Sequence, residues 1–299
     1  MTSEENYPLS PERNNTVLRL FGIPAVITVI AVMIYFLFGM IASEKKDISD
    51  YLDEIQFSEG NKRWQAAFDL SRVLKESPEI QEDELLRVLA LLKETKEEAQ
   101  VQRYLAVALG TLSEKLPVES SPRVEEELGS LLQTSSDNDT LIFGMWALAR
   151  VAKGESSLKV VRGFLGHEDS DVRKMAVYSY GYLLGRETLA SKVEEKEFIE
   201  PLEARIRDGE PLVRFNAATA LARLGNAKGG EILKKLLLWP IEDPYLKSLS
   251  QPDLENIQVS AILAAERLSL ERFHSEIETL SEKSESVRVR NEALQALKN

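Results

Sequence analysis

Few residues in this 299-residue chain could carry out catalysis or bind a metal ion. There is no cysteine, which excludes disulfides, thiolate catalysis and cysteine-bound zinc or iron–sulfur clusters. The two histidines are His167, which Glu168 follows in an expected turn, and His274, which lies on an expected helix. Imidazole and carboxylate groups are common metal ligands and acid–base catalysts, but a single adjacent pair supplies too few of them for a metal centre. We therefore predict no catalytic residue, no metal and no cofactor.

Aromatic and basic residues that could bind a partner are the better functional candidates. Trp239 and Tyr245 lie in a proline-containing stretch, 239–252, that interrupts the helical pattern. Aromatic residues are enriched at binding hot spots, so this stretch predicts a partner site. The alternative is that Trp239 covers the hydrophobic layer of its own helices.

A second candidate group combines two cations with an aromatic ring. Lys62, Arg63 and Trp64 are adjacent in sequence and follow an apolar run by about twenty residues, so they could contact lipid headgroups or a partner. The alternative is that they are one copy of a repeated structural motif.

The apolar run occupies residues 20–43, which contain no charged side chain. As a helix it would extend about 36 Å, which exceeds the ~30 Å hydrocarbon core of a bilayer. It is too long for the apolar part of a cleaved signal peptide. We predict a polar tail at 1–19, a transmembrane helix at 20–43 and a folded domain at 44–299. The basic residues on the two sides of the run are nearly equal in number, so the sequence leaves the orientation open.

An Arg-x-x-Ala motif recurs along the folded domain at intervals that leave room for two helices and two turns. Leu141 and Gln258 replace the arginine in two copies. The register positions are 63, 103, 141, 173, 214, 258 and 290. The best copies are 169–185 and 209–225.

This pattern resembles the HEAT-repeat family, including its HEAT-like or phycobilisome-lyase-type repeats, over residues 47–299. The resemblance implies an all-α fold, a HEAT-like α-solenoid of about seven helix pairs, here preceded by the single transmembrane helix. Asp171 with Arg173 resembles the ladder that joins one repeat to the next in this family, so Arg173 and Arg214 are expected to be structural. Pro201 is expected to kink or restart its helix. The predicted pairs are 48–57 with 61–74, 82–95 with 99–112, 122–132 with 139–151, 156–165 with 170–184, 196–207 with 211–224, 229–238 with 253–268, and 270–280 with 286–297.

The same family contains enzymes, which gives an alternative function. Its di-iron hydroxylases carry four His-Glu pairs, whereas this chain has only His167-Glu168, and Ser275 follows His274. Bilin-lyase-like activity has no specific residues that can be matched here. The DNA-repair members of the family have basic concave faces, whereas residues 44–299 carry a net charge of −11 because only two basic and three acidic residues precede them.

The sequence therefore predicts a membrane-anchored, non-catalytic scaffold or adaptor, such as an accessory subunit of a membrane complex. Its expected partners are proteins at the membrane. Nucleic acid is not expected, because the net charge of −12 opposes binding of polyanions. A small-molecule ligand is not expected either. By analogy with other HEAT-like solenoids, we slightly favour a cytoplasmic location for the folded domain. Two alternatives stay open: a HEAT-like enzyme or tetrapyrrole-binding lyase-like protein, and a solenoid that binds lipid or peptide on its concave face.

Overall fold

A computed structural model describes residues 23–42, 46–76, 79–116 and 119–298. The chain forms two compact units, Met1–Asp47 and Ile48–Asn299. The predicted polar tail at 1–19 lies outside the described residues.

In the first unit, helix α1 extends over Ile23–Ala42. The side chains described within it are those of residues 25–37, and all of them are exposed. Among the described residues, none of the helices has both the length and the hydropathy needed to cross a membrane. On this finding the predicted localisation, a single-pass membrane protein with a slight lean to the cytoplasmic side, is wrong.

The second unit is built from helices throughout its described residues, which confirms the predicted all-α helical solenoid at that level. Its α-helices are α2 (Ile48–Phe57), α3 (Asn61–Glu76), α4 (Glu82–Glu94), α5 (Ala99–Thr111), α6 (Ser121–Thr134), α7 (Asn138–Val151), α8 (Glu155–Arg162), α9 (Ser170–Leu184), α10 (Lys196–Ala204), α11 (Pro211–Arg223), α12 (Gly230–Leu237), α13 (Pro244–Ser248), α14 (Gln251–Lys283) and α15 (Val287–Ala296). Short 3₁₀ segments at Glu187–Glu194, Arg205–Arg207 and Ala227–Gly229 connect some of them.

Successive helices pack as pairs, and the pairs stack on one another. The second helices of the pairs, α3, α5, α7, α9, α11 and the first part of α14, form one row, and they pack more closely than the row of first helices. The solenoid therefore curves toward the row of second helices. The side chains that point away from the first helices line the inner face of this curve. Buried leucine, valine and alanine side chains fill the layers between the helices.

The helix ends follow local sequence signals. Asp169 caps α9, because its carboxylate accepts hydrogen bonds from the amides of Asp171 at 2.9 Å and Val172 at 3.0 Å. The two helices predicted at 253–268 and 270–280 are the two parts of α14, which meet at Ser269, where φ is −179° and ψ is 106°. Pro201 lies inside α10 and does not restart it. The stretch 239–252 contains the short helix α13, which the sequence did not predict.

Candidate partner-binding groove

A groove of about 820 Å³ crosses three consecutive second helices, α9, α11 and α14, on the inner face of the solenoid. Residues of these helices and of the turns just beyond α9 and α11 line it, together with Leu236 of α12. Because the groove crosses the helices, it could hold an extended ligand that contacts each of them in turn.

Two tyrosines of α9 provide the aromatic surface of this groove. Tyr178 and Tyr182 are 44% and 45% exposed and lie four residues apart, so they share one face of the helix. Their rings stack with centroids 6.3 Å apart and planes inclined by 20°. The guanidinium carbon of Arg186 lies 5.4 Å from the centroid of the Tyr182 ring. The result is a flat, half-exposed surface of the kind that dominates binding energy at protein interfaces.

Two arginines give the groove its charge. Arg223 of α11 and Arg267 of α14 are exposed in the groove, and neither guanidinium has a hydrogen-bond or ion-pair partner within the described part of the chain. With Arg186, the lining holds three guanidinium groups and one carboxylate, that of Glu266. The groove is thus locally basic in a protein whose net charge is −12.

The floor of the groove depends on a close approach between α9 and α11. A Cβ atom on Gly181 would lie 2.5 Å from the Cβ of Ala220, well inside van der Waals contact. Glycine at this position therefore lets the two helix backbones come together, and this approach sets the spacing between the tyrosines of α9 and the arginine of α11.

Cations at the ends of second helices connect consecutive pairs. Lys115, just beyond α5, donates to two carbonyls at the end of α3, at 3.0 and 2.9 Å. Arg150 of α7 donates through Nε to a carbonyl in the last turn of α5 at 3.0 Å, and Arg186 donates to the end of α7 at 2.9 Å. Each cation satisfies carbonyls that the preceding helix leaves unpaired and also interacts favourably with its dipole.

The arginines of the repeated motif form a second set of links, at the opposite ends of the same helices. Arg103 pairs with Asp137 of the next pair at 3.3 Å, and Arg63 pairs with Glu98 in the same way. Arg173 pairs with Asp208 at 3.0 Å and also donates to two carbonyls of the turn before α9, both at 2.8 Å. The expected structural ladder is present at these arginines, but the partner of Arg173 is Asp208 and not Asp171.

Asp208 is the most enclosed carboxylate of this ladder, with its side chain 5% exposed. Burial acts to raise the pKa of Asp208, but hydrogen bonds from Arg173 and the Glu210 amide, with the charges of Arg173 and Arg205, outweigh burial and hold that pKa below its ordinary value of 3.8. The ionised form of Asp208 is therefore favoured over its protonated form more strongly in the folded chain than in the unfolded one.

This depressed pKa predicts a loss of stability in acid. The stabilisation from ionised Asp208 is fully present above its unfolded pKa and is lost as the pH falls through the lower, folded value. Urea unfolding should show a clear stability gap between the wild type and the Asp208→Asn variant at neutral pH. That gap should persist down to about the ordinary value of 3.8 and narrow progressively as the pH falls further. A gap that has already closed at about pH 5.5 would contradict this assignment.

The candidates in the stretch 239–252 pack largely into the protein. Trp239 and Tyr245 are partly buried against the hydrophobic cluster that spans α11 to α15, and the Tyr245 ring contacts Phe215 edge to face with centroids 6.0 Å apart. Burial also raises the pKa of Tyr245 above its ordinary value. This placement matches the alternative that the sequence left open for Trp239.

The second candidate group divides between structure and surface. Arg63 pairs with Glu98 and donates through Nε to the carbonyl of Ile55 at 2.7 Å, so it is a structural link. Trp64 is half-buried and stacks on Tyr104, with ring centroids 6.1 Å apart. Lys62 is exposed. The structure does not bring this group together with Trp239 and Tyr245 into one site.

One histidine makes a local structural contact and the other is exposed. His167 Nδ1 accepts a hydrogen bond from the Asp169 amide at 3.1 Å in the turn before α9, and His274 is exposed on α14. Within the ranges that the structure describes, no three side chains of the His, Cys, Asp and Glu types converge as metal ligands would.

The groove residues were missed by the sequence analysis, although a signal for them exists. Tyr178 and Tyr182 follow the motif position Arg173 by five and nine residues, and the groove residues Thr219 and Arg223 follow Arg214 by the same intervals. Leu263 and Arg267 repeat these intervals after Gln258. Reading each copy onward from its arginine would have located the inner face.

Comparisons with known proteins return structures only. No family model matches the chain, and no curated protein does either. Among solved structures, the chain is similar to an engineered protein (TM-score 0.46, 20% identity, covering 85% of this chain and 96% of that one). It is also similar to a designed armadillo repeat protein in complex with the peptide (KR)4 (TM-score 0.45, 16% identity, covering 85% of this chain and 99% of that one). A third similar structure is YibA of E. coli (TM-score 0.40, 14% identity, covering 89% of this chain and 96% of that one).

Proposed function

We propose that this protein is a non-catalytic scaffold or adaptor of the HEAT-like type that binds an extended segment of a partner protein in its inner groove. The observation that carries this proposal is the half-exposed Tyr178–Tyr182 stack, which shares one groove with the exposed guanidinium groups of Arg223 and Arg267. Tyrosine and arginine are among the residues that most often dominate binding energy, and here both types converge on one concave surface.

The shape of the groove supports an extended ligand. Solenoids use their concave surfaces to bind partners over several repeats. An extended segment exposes its backbone and side chains to three helices in succession, so each helix contributes a few contacts. The tyrosine rings can cover apolar parts of such a segment while their hydroxyls stay in water.

The tyrosines are expected to carry much of the affinity. The change is Tyr178→Ala with Tyr182→Ala, tested by affinity capture from the source organism followed by direct titration of the recovered partner. Because each half-exposed aromatic contributes about 1–2 kcal/mol at an interface, the double variant should bind roughly a hundredfold more weakly.

The matched control removes exposed apolar side chains outside the groove. Phe57→Ala with Val287→Ala changes residues that are 76% and 60% exposed on α2 and α15, and this variant should bind the partner as the wild type does. Equal recovery of the partner by the tyrosine variant would place binding elsewhere, with Trp239 and Tyr245 as the next positions to change.

A further inference from the structure

We propose that the segment bound in the groove is acidic, with carboxylates that pair with Arg223 and Arg267. This inference rests on the proposed function and specifies the chemistry of the partner. Both guanidinium groups are exposed in the groove and have no partner among the described residues, whereas the motif arginines Arg63, Arg103 and Arg173 are all paired.

Charge complementarity favours this occupant. The groove lining carries three guanidinium groups against one carboxylate, while the whole chain has a net charge of −12. Arginine presents a planar fork of donors that matches a carboxylate with two parallel hydrogen bonds. A locally basic groove attracts an acidic segment, and the acidic remainder of the surface repels segments that are acidic throughout their length, so the attraction is confined to the groove.

The helix spacing sets the spacing of the acidic residues. Arg223 and Arg267 occupy equivalent positions on α11 and α14, which are neighbours in the row of second helices. Packed helices lie about 8–10 Å apart, and an extended chain advances about 3.3 Å per residue. One residue in three therefore reaches the next arginine. Between the two carboxylates the segment passes Leu263 of α14, and beyond Arg223 it reaches the tyrosine rings of α9, so apolar side chains are favoured at those positions.

A protein segment fits this site better than a nucleic acid. Two unpaired guanidinium groups could also hold phosphates, but a nucleic acid would bring many phosphates close to a domain whose net charge is −11. A short acidic peptide brings only the charges that the arginines neutralise.

The test uses the full chain and a labelled peptide of about twelve residues that has two glutamates three positions apart near its centre and leucine or serine elsewhere. Fluorescence anisotropy at low salt should show binding at least roughly tenfold tighter than for the same peptide with lysine in place of glutamate. Binding should weaken as the salt concentration rises. The charge reversal Arg223→Glu with Arg267→Glu should weaken binding of the glutamate peptide roughly tenfold or more.

The control reverses two other charges and so has the same net charge. Arg123 on α6 and Arg207 beyond α10 are exposed and lie outside the groove lining, so Arg123→Glu with Arg207→Glu should keep the affinity within roughly twofold. Circular dichroism should show all variants folded, because none of these side chains is buried. Should the groove variant nevertheless fail to fold, Arg223→Gln and Arg267→Gln tested singly give the same comparison.

The other outcomes are each decisive. Preference for the lysine peptide, or equal weakening by both charge reversals, overturns the acidic assignment. Tighter binding of a single-stranded oligonucleotide with the same dependence on Arg223 and Arg267 replaces the peptide with a nucleic acid. If the glutamate peptide does not bind but capture of a partner still depends on Tyr178 and Tyr182, the acidic assignment fails while the proposed function stands.

Discussion

Replacing Asp208 with alanine should lower the free energy of unfolding by about 3–5 kcal/mol. Its carboxylate accepts hydrogen bonds from Arg173 at 3.0 and 3.1 Å, from Arg205 at 3.3 Å and from the Glu210 amide at 3.0 Å. Removal of the carboxylate leaves the mostly buried guanidinium of Arg173 without its opposite charge, and an unpaired buried charge is far more costly than a lost surface pair. Equilibrium urea unfolding followed by circular dichroism measures the change.

Asp171→Ala is the matched control for that experiment. Asp171 lies closer to Arg173 in sequence, but its side chain is 65% exposed and pairs with Lys174 at 2.5 Å, three residues along the same helix. Exposed pairs of this kind contribute little, so the control should change the stability by less than about 0.5 kcal/mol. If Asp171→Ala proved as damaging as Asp208→Ala, the assignment of Asp208 as the carboxylate that links the two repeats would be wrong.

The Arg173 pairing shows how far the sequence predicts this fold. The motif spacing predicted the helix pairs, and α2 occupies the predicted residues 48–57. These features are predictable because apolar periodicity and helix ends are local properties of the chain. The ladder partner is not local. Asp208 lies 35 residues beyond Arg173, in the turn before α11, and only the stacking of the pairs brings the two together.

The candidate site was harder to predict for a related reason. Trp239 and Tyr245 have the residue types of a binding site, but whether such rings face a partner or their own core depends on how the stretch 239–252 folds back, and here both pack against the core. Tyr178 and Tyr182 lie inside an ordinary helical pattern, so their residue type alone does not distinguish them as binding-site candidates. They become a site through the groove that three helices form together.

The second large effect is expected at Gly181, where α9 approaches α11. A leucine in place of this glycine should lower the free energy of unfolding by about 3 kcal/mol, since it inserts four carbon atoms where even a Cβ would lie 2.5 Å from that of Ala220. The backbones must separate, and their separation also changes the groove that they line. We expect a lower urea midpoint and, in the folded fraction, weaker binding in the groove.

The sign of the alanine substitution separates this packing effect from helix propensity. Alanine favours a helix over glycine by about 1 kcal/mol, so Gly129→Ala, whose added Cβ has no atom within 4 Å, should stabilise the protein. Gly181→Ala gains the same propensity but must open the contact with Ala220, and the overpacking cost of about 1–3 kcal/mol should make it destabilising. Opposite signs would show that the α9 backbone at Gly181 is in direct contact with the Ala220 methyl group of α11. Stabilisation by both substitutions would mean that the helices stand further apart, and the groove would then be wider than the one that joins the tyrosines of α9 to Arg223.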